Sequence, residues 1–179
     1  MKNKFWNEVS YCGAILGLVN IAFTLAGMYL PQSAGAIVSG LNIVATIYLL
    51  FLYTKRRAAQ FTQEGYTYAQ CLGFITAAGI FAGIITGAYQ IVASNFFFTE
   101  HYETLYKTMI AAYAQMGMFD NNVMDTLKTT MHSQIFSPMP VLITNIISMC
   151  FSFAFFGLFI AIGTKREADI FDNQEYEEQ

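Results

Sequence analysis

The chain has 179 residues, of which 55% are hydrophobic and 12% charged, with a formal net charge of −3. An average soluble domain carries about 25% charged residues, whereas here nothing is charged between Glu8 and Lys55, between Glu64 and Glu100, or between Lys128 and Lys165. Such gaps exceed the roughly 20 apolar residues that span a bilayer and exclude a soluble domain, and the lack of a basic patch outside the membrane flanks argues against a nucleic-acid partner.

The pattern predicts an all-α integral membrane protein: four transmembrane helices, with an extracytoplasmic helical hairpin between the third and the fourth. Lys2, Lys4, Phe5 and Trp6 form a basic and aromatic flank before a first span over 10–30. That span is too long for the core of a secretory signal, so it reads as a retained helix. The uncharged turn Pro31-Gln32-Ser33 leads into a second span over 34–53, antiparallel to the first because the connection is so short. Lys55-Arg56-Arg57 follows, then a polar stretch to Gly65 and a third span over 68–98. Residues 99–137 form the outer segment. Tyr102, Leu105, Tyr106, Met109 and Tyr113 recur at helical spacing, and Val123, Leu127, Met131 and Ile135 repeat every four residues after an Asp120-Asn121-Asn122 cap. Pro138 and Pro140 open a fourth span over 140–164, and an acidic tail occupies 167–179.

Lysine and arginine set the orientation. Lys2, Lys4, Lys55, Arg56, Arg57, Lys165 and Arg166 fall on one side of a four-span topology and only Lys107 and Lys128 on the other, which puts both termini in the cytoplasm.

Small and polar residues mark the helix faces. Gly79, Gly83 and Gly87 form a ladder that shares a face of the third span with Gly73, Gln90 and Ser94, a glycine-zipper arrangement suited to another helix. The opposite face, with Phe74, Phe81, Ile85, Tyr89, Val92 and Phe96, suits lipid. The ladder is expected to pack chiefly against this chain's own helices. In the first span Gly13, Gly17, Asn20, Thr24 and Gly27 alternate steps of four and three, and Gly35, Ser39, Asn42 and Thr46 repeat that pattern in the second. Asn20 and Asn42 come to similar depth near the midplane and are expected to face each other or a shared polar interior. In the fourth span Thr144, Asn145, Ser148 and Ser152 lie at the depth of Gln90 and Ser94, where they either join the helices or line a polar pocket.

No span so bounded contains an ionisable Asp, Glu, Lys, Arg or His, which disfavours coupled transport but not a passive pore. Glu100, His101, Glu103 and His132 match no metal motif, and no serine or cysteine nucleophile has a base beside it, so neither a catalytic residue, a metal nor a cofactor is called. Cys12, Cys71 and Cys150 read as small hydrophobes.

The run Gly65-Tyr66-Thr67-Tyr68-Ala69-Gln70-Cys71-Leu72-Gly73-Phe74, the small-residue third helix and the closing Phe156-Gly157-Leu158-Phe159-Ile160-Ala161-Ile162-Gly163-Thr164-Lys165-Arg166 carry a resemblance. The chain resembles a family of four-span membrane proteins of Bacteroidota catalogued as a domain of unknown function (number 4199). That resemblance implies a bacterial inner membrane and four helices, and supplies no activity or site residue. Two functional readings remain. The first is a non-enzymatic structural or assembly subunit whose partners are the bilayer and either further copies of itself or other envelope proteins. The second is a small transporter or oligomeric channel lined by Asn20, Asn42, Thr46, Gln90 and Asn145.

Overall fold

The computed structural model describes residues 2–30, 32–61, 64–117 and 120–167. Six helices follow in order: α1 (Lys2–Tyr29), α2 (Gln32–Ala58), α3 (Tyr68–Val92), α4 (Thr99–Met116), α5 (Asn121–Phe136) and α6 (Pro138–Thr164). A π-helical turn, Ala93–Phe97, continues α3. The segments Lys4–Tyr29, Ala34–Ala58, Tyr68–Phe97 and Pro138–Thr164 are long and apolar enough to cross a membrane. Pro31 and, apart from Glu167, the expected acidic tail lie outside the described residues.

Local chemistry sets the helix boundaries. Thr67 starts α3 with a capping box: the Gln70 amide donates to Thr67 Oγ1 at 3.3 Å, and the Thr67 amide donates to Gln70 Oε1 at 2.8 Å. Gly117 ends α4 in the left-handed region, at φ 63°, which only glycine adopts cheaply. Proline in the first turn of α6 removes an amide that has no partner there anyway. Two boundaries differ from the hydropathy reading. α2 runs through Lys55-Arg56-Arg57 to Ala58, and α1 starts at Lys2, so both charged flanks are helical.

α3 is the centre of the bundle, with a helix close against two of its sides. On one side the ladder lies on α6: a Cβ on Gly83 would stand 2.6 Å from the Ile146 Cα, on Gly79 3.0 Å from the Met149 carbonyl, and on Gly87 3.2 Å from the Asn145 Cβ. α6 returns the favour at Gly157, whose added Cβ would meet Leu72 and Ile75. On the other side α1 supplies the glycines. A Cβ on Gly13 would stand 2.6 Å from the Ala78 carbonyl and from the Phe81 Cβ, and one on Gly17 3.0 Å from the Ile85 Cβ. Backbones that approach this closely gain dispersion energy that lipid tails cannot match.

The face opposite the ladder, expected to meet lipid, therefore packs against α1 over much of its length. Phe74 is only 2% exposed, and its ring meets that of Phe5. The exposed stripe of α3 runs instead through Gly73, Ile80 and Ile84. Gly73 is six residues, about 600° of helix rotation, from Gly79, so it stands a third of a turn off the ladder and meets nothing within 4 Å.

α4 and α5 form a helical hairpin at the end of the bundle opposite the termini, with the Tyr106 hydroxyl donating to the Lys128 carbonyl at 3.3 Å. It sits on the end of α3 through a cluster of Ala93, Tyr102 and Ile135. Burial pushes the Tyr102 phenol up to about 12, with Tyr89 beside it adding to the shift, so Tyr102 stays neutral.

Candidate functional site

The most built-up polar centre lies at the terminal end, around Arg57. Leu50, Thr54 and Arg57 follow one another at steps of four and three along α2, so Arg57 extends the buried face while Lys55 and Arg56 point outward. Glu8, Cys12 and Leu16 do the same at steps of four on α1. The two faces meet: Arg57 Nη1 donates to Glu8 Oε2, and Arg57, 8% exposed, is nearly enclosed. Arg57 Nε donates to the Tyr66 hydroxyl at 3.0 Å, and that hydroxyl donates onward to the Gln70 carbonyl at 3.2 Å.

Aromatic rings complete the enclosure. The guanidinium carbon lies 4.9 Å from the Phe5 ring centre, 5.1 Å from Phe74, 5.6 Å from Phe61 and 5.9 Å from Tyr66. Weakly hydrated guanidinium suits such faces better than an ammonium does, and each contact contributes about 0.5–2 kcal/mol. Burial pushes the Tyr66 phenol up, against the opposing pull of Arg57, so Tyr66 keeps the proton it donates to Gln70. Tyr66 is pinned in turn by a two-residue antiparallel bridge to Arg166, with amide-to-carbonyl distances of 2.8 and 2.9 Å. One arginine thus ties together α1, α2, the α2–α3 connection and the start of α3, and the bridge brings in the segment after α6.

A second polar feature lies at the hairpin end. The hairpin-end parts of α1 and α2 separate around a cleft of about 410 Å³, which α4 covers with His101, Tyr102 and Leu105. Thr24 and Gly27 of α1 and Gly35, Ser39 and Asn42 of α2 line it. Added Cβ atoms on Gly27 or Gly35 would meet nothing within 4 Å. No hydrogen bond joins Asn20 to Asn42 among the described residues, and Asn42 Oδ1 is buried without a partner. The expected facing of the two amides is not seen: Asn42 lines the cleft, and Asn20 is not among the residues around it. The Thr24 hydroxyl donates back to the Asn20 carbonyl at 2.9 Å, and Thr46 is buried one turn inward of Asn42.

The remaining polar positions divide by face. Asn145 Nδ2 donates to Gln90 Oε1 at 2.8 Å across the α3–α6 contact, and also to the Val141 carbonyl at 2.9 Å. Thr144, Ser148 and Ser152 are exposed, because the inward stripe of α6 passes through Asn145, Met149 and Phe153. Ser94 is buried and accepts from Asn95 Nδ2 at 3.2 Å rather than bonding α6. Among the described residues no three His, Cys, Asp or Glu side chains group as metal ligands. His101 faces the cleft, whereas His132 packs its ring on Phe136 and Tyr106.

A family model described as "Protein of unknown function (DUF4199)" matches residues 11–166. The chain belongs to the DUF4199 family. No curated protein and no solved structure matches it. Within the DUF4199 match lie Arg57, Phe61, Tyr66, Phe74, both sides of the α3–α6 contact and the hairpin. Phe5 and Glu8 stand in the turns of α1 just before it.

Proposed function

We propose that this DUF4199 chain is a non-enzymatic structural or assembly subunit of a bacterial inner membrane, acting through helix packing, with both termini in the cytoplasm. The observation that carries this reading is the contrast between satisfied and unsatisfied small-residue faces. The ladder and the glycines Gly13 and Gly17 are filled within the chain, whereas added Cβ atoms on Gly35 and Gly40 of α2 would meet nothing within 4 Å, and Ser39 and Gly40 are exposed. Small residues along a spanning helix favour close helix neighbours, and that neighbour is a second copy or another envelope protein. The excess of lysine and arginine at the terminal end supports the orientation.

The test is crosslinking from native membranes with a photoreactive residue at Ser39, followed by mass spectrometry. Capture of one defined protein, or of a second copy, at Ser39 and not at Phe159 of α6 is the expected result. A chain that migrates as a monomer with equal, diffuse crosslinking at both positions overturns the reading.

A transporter or oligomeric channel is the second reading, favoured by the unpaired Asn42 carbonyl at the hairpin-end cleft. Against it, Gln90 and Asn145 are bonded to each other on the far side of α3 and do not line that cleft. Solute or ion flux into liposomes that disappears on Asn42→Leu would favour this reading over the first.

A further inference from the structure

We propose that the cleft between α1 and α2 at the terminal end binds the phosphate-bearing head group of an anionic phospholipid. The cleft holds about 330 Å³, walled by Tyr11 and Tyr53, with Arg56 and Gln60 at its rim and the Glu8–Arg57 pair at its floor. A smaller recess of about 180 Å³ shares Glu8, Arg57 and Gln60 with it and adds Lys4. Together they gather Lys4, Arg56 and Arg57 around a single carboxylate, Glu8.

That carboxylate is already committed. Glu8 accepts from Arg57, which is locked among aromatic rings, so the pair approaches neutrality while Arg56 and Lys4 are in no ion pair among the described residues. Arg56 presents the planar fork that matches phosphate oxygens in pairs, and the Gln60 amide adds a neutral donor beside it.

The apolar surroundings distinguish a lipid from a free anion. The Tyr11 and Tyr53 rings meet edge-on in the cleft wall, with Tyr11 itself exposed. Two turns farther along α1, Leu18 is 61% exposed, and Tyr48 and Leu52 are exposed on α2. An acyl chain descending from a head group at Arg56 therefore runs along apolar side chains, which inorganic phosphate cannot use. Basic pockets between spanning helices are where anionic head groups gain most, because the cations stand at the membrane surface. This site rests on its own geometry and not on the assembly role.

The experiment is native mass spectrometry and thermal unfolding of the full chain in a neutral detergent, with phosphatidylglycerol, phosphatidylcholine or inorganic phosphate as probes. Phosphatidylglycerol is expected to be retained and to raise the unfolding temperature, with phosphatidylcholine weaker on both counts. Arg56→Ala should weaken phosphatidylglycerol binding about fivefold, the contribution of one basic side chain near an anionic surface, without changing the lipid-free unfolding temperature. Lys4→Ala should act in the same direction, and Lys107→Ala at the far end should have no effect. Equal retention of the two lipids, or an equal loss with Lys107→Ala, overturns the proposal. So does displacement of the lipid by millimolar phosphate alone, which would assign the cleft to a soluble anion.

Discussion

α3 and the hairpin-end part of α2 draw on the same residues, glycine and alanine interrupted by a few polar side chains, yet their surroundings differ. Two helices close on α3 until added methyl groups would overlap backbone atoms, while Gly35 of α2 has open space where a Cβ would be. In water both segments would gain by burying apolar surface. In lipid that gain disappears, and what counts is whether a partner backbone arrives. A glycine that meets a helix supplies contact; one that does not leaves its own helix slightly weaker than alanine would. The other end of α2 differs again, because a charge rather than a glycine holds it to α1.

The largest expected effect breaks that charged anchor. Glu8→Ala leaves the enclosed Arg57 guanidinium without its carboxylate and should cost about 3–5 kcal/mol in reversible detergent unfolding. The double change Glu8→Leu with Arg57→Met should recover most of the loss. Parent-like stability in Glu8→Ala would show that α2 is held by something else.

Gly83→Ala comes next. Its methyl must displace the α6 backbone at Ile146, at about 1–3 kcal/mol. The check is the same unfolding curve together with the solubilised size. Asn145→Leu removes the bond to Gln90 and should cost about 0.6 kcal/mol, the average for interhelical hydrogen bonds in a membrane protein. Smallest of all, Gly35→Ala should change the stability of the isolated chain by less than about 0.5 kcal/mol. If the same change lowers stability only in native membranes, a partner sits on α2, and the contrast between the two helices becomes a map of the interface.

Much of this was legible in the residues. The charge gaps fix four spans, and the spacing of Gly79, Gly83 and Gly87 marks one helix face, since 3.6 residues per turn leaves little freedom. The second packed face of α3 was obscured because Ala78 and Ala82 count as apolar in any hydropathy reading, although their small size is what admits α1. In the sequence Arg57 counts only as one of the basic residues after the second span that set the orientation, because charge next to an apolar run marks the membrane boundary. Only the continued helical phase from Leu50 and Thr54 places it inside. Asn20 and Asn42 had matching patterns and depth, but a pattern on two helices does not tell how each is rotated toward the other.

The order in which the chain is made gives the α3–α6 contact a further meaning. The ladder is synthesised early, and α6, which covers it, leaves the ribosome only later, followed by Arg166, whose bridge to Tyr66 closes the terminal end. At about 5–20 residues per second, Gly83 waits on the order of several seconds for Ile146. During that interval the narrowest groove of the finished protein is an open one in the membrane, accessible to any helix with a small-residue face, so a chain stopped before Pro138 would present its strongest contact surface to its neighbours.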